Sequence, residues 1–406
     1  MILNGTFPKP LDVRVIKESN SMMAAGHAVT LLCLEATDEV AEERIDGLNV
    51  VRINAGKSIN HLAFWDIIIS LTFNHPIFRR GIRRILAKQK IDAIHVHDLP
   101  LAGTALYFKR KYGIKVVLDL HENYSEALKI WFRWKTNPIA RLKNALFLRP
   151  KVWERYEAKA VRAADAVLTV VNEMRDRVLR QHELDEKKVF VVSNTETKTF
   201  IDQPVIPEIY AAYPGKFILA YVGGIGPHRG VDTVIESMQY LRNQQDIVFI
   251  IIGSGSSNVM EKLGKMVREL RLGDRVFMLG QKPFSQVFSY MSRADVNVIP
   301  HKSNPQNDNG VPHKLFQSMM VGKPVLVSSS APLKRIIEET SSGVVFQAED
   351  PVDCADKIVQ MFNNKSLCQQ LGANGKKAAM GKYSWEETAK QLLDVYEGLV
   401  HREPKA

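Results

Sequence analysis

Asn309-Gly310-Val311-Pro312-His313-Lys314-Leu315-Phe316-Gln317-Ser318-Met319-Met320-Val321-Gly322-Lys323-Pro324-Val325-Leu326-Val327 reads as a loop, a short helix, a tight stop and a buried strand. Pro312 suits the first helical position, where its missing N–H costs nothing. Leu315, Phe316, Met319 and Met320 share one face at helical spacing. Gly322 stands where a left-handed cap is needed, and Lys323 puts a cation at the negative end of the helix. Pro324 opens the next strand. The loop delivers a helix N-terminus, a ready anion site where it is left open. His313 and Lys314 stand in its first turn, and Gln317 lies one turn beyond His313. The same residues also describe a packed helix with a basic first turn.

Around this stretch the second half of the chain alternates strands, at 217–222, 247–252, 276–279, 296–299 and 343–346, with helices such as 231–241 and 259–270. The first half alternates likewise: strands at 1–4, 28–34, 48–53, 93–97, 115–120, 166–170 and 189–192, helices at 13–25, 78–88, 101–112 and 173–181. Such alternation predicts α/β halves, each a parallel sheet covered by helices on both faces. Residues 195–215, with Pro204, Pro207 and Pro214, break the pattern and read as a linker. A chain of 406 residues exceeds one ordinary core, so two domains are expected.

Apolar content of 45% suits a globular protein. No run reaches the ~18 apolar residues that span a bilayer. The longest, 62–73, contains Asp66. The first residues lack a charged stretch followed by an apolar run and a cleavage site, so no secretory signal is expected. Cys33, Cys354 and Cys368 share no ligand spacing with one another or with His, so reduced structural thiols in a cytoplasmic protein are expected. Net charge is +11, and residues 76–162 carry 20 Lys and Arg against 7 Asp and Glu, +13, leaving −2 elsewhere. A basic region of this kind suits an anionic surface or ligand. Trp131, Phe132, Trp134, Phe147 and Trp153 stand among Lys129, Arg133, Lys135, Arg141, Lys143, Arg149 and Lys151, and 78–88 adds Arg79, Arg80, Arg83, Arg84 and Lys88. Aromatics favour the headgroup level and cations favour anionic lipid, so peripheral binding to the inner face of the membrane is expected. A solvated face with its aromatics turned into the core is the alternative. Nucleic acid is not expected, since no recognition motif accompanies the charge.

Loops at the carboxyl ends of strands bind ligands in open α/β sheets. Besides the helix start there are four. Gly223-Gly224-Ile225-Gly226-Pro227-His228-Arg229-Gly230 lets backbone approach a ligand and lets Arg229 fork onto phosphate; a plain tight turn explains the glycines equally. Gly253-Ser254-Gly255-Ser256 is similar. His97-Asp98 and His121-Glu122 follow strands, and paired histidines there suit either structure or an active site.

In order and spacing these pieces resemble a GT-B-fold glycosyltransferase of family 4. The resemblance runs from Asp12-Val13-Arg14-Val15 and Ala25-Gly26-His27-Ala28-Val29, through Tyr221-Val222-Gly223 to Arg229-Gly230-Val231-Asp232, to Ile252-Gly253-Ser254-Gly255. It continues with Gln317-Ser318-Met319 and Gly322-Lys323-Pro324-Val325, and then with Tyr383-Ser384-Trp385. It implies two Rossmann-like domains facing each other across a cleft: an acceptor domain over 1–195, with a helix over 383–406 packing back on it, and a nucleotide-sugar domain over 196–382. It also implies retaining transfer from a nucleotide diphosphate sugar to an acceptor, lipid-linked or a cell-surface glycan, with no metal and no other cofactor. On the donor side it points to Gly224, Arg229, Gly253, Asn309, Gly310, His313, Lys314, Leu315 and Gln317. His121 lies near the sugar as the catalytic residue, and Arg14, His97, Asp98 and Glu122 stand on the acceptor side. Four positions depart from the family pattern, one of them, Arg229 in place of a Lys, keeping the charge. Its phosphate-binding Arg is Gly224, and its two glutamates fall on Asn309 and Gln317, which keep hydrogen bonding but lose charge. Gln317 is expected to bond ribose through its amide and to tolerate Glu. These departures also suit a non-catalytic sugar-nucleotide-binding subunit of a glycan-assembly complex; a sugar-nucleotide epimerase is the third reading.

Overall fold

Ile247-Val248-Phe249-Ile250-Ile251-Ile252 is apolar at every position, as a strand covered on both faces requires, and it is buried throughout. The computed structural model describes residues 1–8, 12–36, 39–56, 59–133 and 147–401, and the chain forms two units. The first, Met1–Ser193 with the chain from Ala389 on, holds β1 (Ile2–Thr6), β2 (Thr30–Leu34), β3 (Glu42–Ile45), β4 (Leu48–Ile53), β5 (Ala93–His97), β6 (Lys115–Leu120), β7 (Ala166–Thr169) and β8 (Val189–Val191). Their order is β3-β4-β2-β1-β5-β6-β7-β8. The pairing is parallel except for β3 against β4. Unforeseen in the sequence, β3 is a charged, exposed edge strand (Glu42, Glu43, Arg44), a composition that discourages further pairing.

The second unit, Asn194–Thr388, holds β9 (Phe217–Val222), β10 (Ile247–Ile252), β11 (Val276–Gly280), β12 (Val296–Ile299), β13 (Val325–Ser328) and β14 (Gly343–Phe346). The order β11-β10-β9-β12-β13-β14 is parallel throughout. Strand order reverses at β1/β5 in one sheet and at β9/β12 in the other, and crevices open at such reversals.

The organising helix is His313–Met320. Pro312 precedes it instead of opening it, because its ψ of 142° is extended. Leu315, Phe316, Met319 and Met320 are all buried, and Gly322 takes the left-handed conformation, φ +72°. Residues 195–215 are not a free linker. They belong to the second unit, where Phe200 is buried, Ile206 N donates to Ser289 Oγ at 2.9 Å and Tyr210 Oη to Tyr290 O at 2.9 Å. The three cysteines are free thiols, Cys33 and Cys354 buried and Cys368 half-buried. Helix Trp385–His401 places Leu392, Val395, Tyr396 and Leu399 in the first unit's core. Trp153, expected at a membrane surface, is also core, packed edge-on to Phe73 and Tyr156. Trp134, Lys135, Arg141 and Lys143 lie outside the described residues, as do the side chains of Trp131, Phe132 and Arg133. Among the described residues no helix is long and apolar enough to cross a membrane.

Candidate active site

Loops after β9, β10 and β12 meet at the second unit's reversal point. Gly253 (φ +148°) packs against the backbone of Gly223 (φ +138°): a Cβ on Gly253 would stand 1.9 Å from the Gly223 carbonyl oxygen. The glycines of the loop after β10 therefore let two backbones interlock. Gly224 faces open space and takes a hydrogen bond from Tyr221 Oη at 2.6 Å on its carbonyl. Gly310, at φ −153°, is extended and needs no glycine.

Four basic side chains gather here. Arg229 Nη1 lies 3.0 Å from His301 Nε2. A guanidinium only donates, so this nitrogen accepts and the imidazole is neutral. Burial, then the charges of Arg229, Lys314 and His228, hold His301 well below its ordinary range. Burial followed by Arg229 and Lys314 pushes His228 down to about 4. The Lys314 ammonium is buried without a hydrogen-bond partner. It sits 3.7 Å above the centre of the buried Tyr221 ring, and a Cβ on Gly223 would touch it at 3.4 Å. Burial, then Arg229, holds it well below the usual lysine range. An ammonium shielded from water and lacking an acceptor is costly. Here it faces glycine backbone beside a guanidinium, an arrangement suited to a polyvalent anion.

The other expected donor residues differ in availability. The Leu315 side chain is fully buried on the core face of the helix. Asn309 is buried, its Nδ2 donating to Pro305 O at 2.7 Å while its Oδ1 has no partner. Gln317, also buried, donates from Nε2 to Glu196 Oε2 at 2.8 Å. His313 is half-buried.

In the first unit, β5 and β6 end beside one another. Asp98 follows β5 with φ +66° and ψ 161°, a region other residues rarely enter and which costs ~1–3 kcal/mol. It is held by Asp98 N donating to Asp119 O at 2.9 Å and by His121 N donating to Asp98 Oδ1 at 3.1 Å. His121 Nε2 lies 2.7 Å from Asp119 Oδ2 and its Nδ1 3.3 Å from Asp98 Oδ2. A neutral imidazole has one donor; with a carboxylate at each nitrogen both donate, and the ring is an imidazolium. Burial opposes that charge, but Asp98 and Asp119 outweigh it and hold His121 well above its ordinary range. Behind it, Arg14 forks onto Asp119 at 2.8 and 2.6 Å, lies 3.0 Å from Glu18 and donates to Val192 O at 2.9 Å. His95 Nε2 lies 3.2 Å from Glu18, and its Nδ1 lies 2.8 Å from Tyr396 Oη. Glu18, His95, His97 and Asp119 converge closely enough to hold a metal ion. Arg14 already neutralises both carboxylates, however, and a second cation would face its guanidinium. Arg14 and His97 are buried, whereas the Asp98 side chain is 34% exposed and Glu122 is half-buried.

The Glycosyl transferase 4-like domain matches residues 14–195, and the Glycosyl transferases group 1 domain matches residues 202–378. The chain belongs to the group 1 glycosyltransferases. It is 26% identical over 322 residues to an uncharacterized glycosyltransferase of Methanocaldococcus jannaschii, covering 78% of each chain. It is 24% identical over 330 residues to alpha-D-kanosaminyltransferase of Streptomyces kanamyceticus, covering 78% of this chain and 79% of that one. Among solved structures, sucrose-phosphate synthase from Thermosynechococcus elongatus superposes with a TM-score of 0.78 at 18% identity, over 96% of this chain and 94% of that one. Anabaena HepE in complex with UDP-glucose gives 0.71 at 12% identity, over 98% of each. The fold is GT-B, and the chain is a retaining, nucleotide-sugar-dependent glycosyltransferase.

Sequence reasoning missed several side chains that this glycosyltransferase brings to its site. His301 stands two residues after β12, at the reversal point, a place that invites inspection. Asp119 is a lone charge inside the apolar run of β6, a signal that was available. Glu196 carries no local signal, because its partner is 121 residues away.

Proposed function

We propose that the second unit binds the diphosphate of a nucleoside diphosphate sugar and that the first binds a glycan or lipid-linked acceptor. The observation that carries this reading is the buried, unpaired Lys314 ammonium beside Arg229, two neutral imidazoles and glycine backbone. Departure of the diphosphate builds negative charge, and cations fixed in a dry site stabilise it without reorganising. Asn309 and Gln317 are the neutral hydrogen-bonding positions for the nucleoside, with Gly310 and His313 flanking the helix start. His121 is the catalytic residue of the first unit, and as a fixed imidazolium it supplies charge instead of taking a proton. Asp98 and Glu122 reach the acceptor, while buried Arg14 and His97 hold Asp119 and His121 in place. No resident metal is proposed, since Arg14 occupies the carboxylates that would bind one.

A lipid-linked acceptor fits a cytoplasmic enzyme bound peripherally to the inner face of a membrane. Supporting this, Phe64 and Leu71 are 51% and 62% exposed, seven residues apart on helix Ile59–Thr72. Arg80, Arg83 and Arg84 are exposed on the next helix, Pro76–Leu86.

Thermal melting against UDP-, ADP- and GDP-sugars tests the donor reading, since a ligand at 100 times its Kd adds ~2.7 kcal/mol. One class should raise the midpoint and yield a retained glycoside with acceptor present. A raised midpoint without product would favour the non-catalytic reading that Gly224 and Gln317 support. Free nucleotide with an epimerised sugar would mark an epimerase.

A further inference from the structure

Gln317, where the family pattern has a glutamate, is paired with a carboxylate from a distant segment, Glu196. Gln317 lies on the second turn of helix His313–Met320, one turn beyond His313. Its Nε2 donates to Glu196 Oε2 at 2.8 Å, and both residues are buried. Glu196 Oε1 accepts from Thr197 N at 2.9 Å and from Thr197 Oγ1 at 3.4 Å, so both carboxylate oxygens are held. The surrounding backbone is fixed as well. Trp385 N donates to Glu196 O at 2.8 Å, and Asn194 Nδ2 donates to Val311 O at 3.4 Å. Residues 194–196 therefore run beside the loop and helix that carry Lys314.

The ends of an amide are not interchangeable: the nitrogen only donates, and an ionised carboxylate only accepts. Glu196 consequently takes the NH2 end of Gln317 and leaves Oε1 for a ligand. Whatever meets Oε1 must donate, as a hydroxyl does and a phosphate oxygen does not. A glutamate at position 317 would instead meet Glu196 as a second buried carboxylate at hydrogen-bond distance, which forces one of them to take up a proton. The expected tolerance of Gln317→Glu is thereby reversed.

We propose that Glu196 is a positioning residue for the donor: it locks the Gln317 amide so that position 317 is an obligate acceptor for the donor's ribose hydroxyls. The proposal rests on the donor-site reading above. Its test is a cycle between protein and ligand, using calorimetric titration with the nucleoside diphosphate identified by melting and with its 2′,3′-dideoxy form. Wild type should bind the dideoxy form roughly tenfold more weakly, the loss of about one hydrogen bond. Glu196→Gln frees the amide to turn, and that variant should bind the two forms nearly alike. Gln317→Glu should weaken binding of the normal nucleotide. The exchanged pair Glu196→Gln with Gln317→Glu keeps one carboxylate and one amide, and it should recover the discrimination even where a single variant folds poorly. A discrimination factor unchanged by Glu196→Gln, or absent from wild type, overturns the proposal and leaves the pair as a tie between chain segments. Wild type that binds no nucleoside diphosphate overturns the donor reading itself.

Discussion

Lys314 is held as a poor cation until something negative arrives. Its pKa in the free protein lies well below the lysine range, because burial and Arg229 disfavour the charge. A bound diphosphate favours the charge and raises that pKa. The contribution of Lys314 to binding is therefore complete below the free-state pKa and is lost as pH rises through the bound-state pKa. Nucleoside diphosphate affinity should therefore fall as pH rises from the depressed free-state pKa of Lys314 through its higher bound-state one. Binding should take up protons, read as a dependence of calorimetric heat on buffer ionisation. Flat affinity with no proton uptake would remove Lys314 from the site. His121 has the opposite sign. Its folded pKa is raised, so the stability it contributes is full below the unfolded value of ~6.5 and is lost as pH rises through the folded one. Its ring proton resonances should remain those of an imidazolium at neutral pH. Titration near the ordinary histidine value would mean that one of the two carboxylate contacts is absent in solution.

At the scale of elements, the donor loops are built by interlock. Gly230 has φ +68°, and a Cβ there would fall 1.7 Å from Pro300 O. Gly230→Ala combines a left-handed alanine with a backbone collision between the loops after β9 and β12. It should cost at least ~2 kcal/mol in chemical denaturation and weaken donor binding too. An unchanged midpoint would show that the loops move apart freely. Much of this level was legible in the sequence. The apolar strands, Gly322 and the face carrying Leu315, Phe316, Met319 and Met320 each follow from local spacing. What escaped depends on distant partners. The role of Gly253 needs Gly223 in space, the charge of His121 needs Asp98 and Asp119, and the polarity of Gln317 needs Glu196. Edge strand β3 escaped for another reason: its charged residues lack the apolar signal on which strand recognition relies.

At the scale of the whole molecule, charge and apolar exposure coincide on the first unit. Part of the basic excess is already spent, since Arg84 and Lys88 both pair with Glu42 at 2.8 and 2.9 Å. Trp153 is core. The apolar side chains left for a bilayer include Phe64 and Leu71, on the helix preceding the one that carries Arg80 and Arg83. Sedimentation with liposomes should show binding to anionic but not neutral vesicles, weakened by salt through screening. Phe64→Ser with Leu71→Ser should reduce it at least severalfold. Equal partitioning onto both lipids, or none, would leave the exposed stripe without this role.

Helix Trp385–His401 begins in the second unit and brings Tyr396 to His95 in the first. On the ribosome that ordering becomes a delay. Once Ser193 has emerged, the 195 residues Asn194–Thr388 must follow before the helix that completes the first unit exists. At ~5–20 residues per second the wait is roughly 10–40 s. For that interval His95, Glu18 and the apolar surface that receives Leu392 and Leu399 stand uncovered. The first half to be made is the last to be finished.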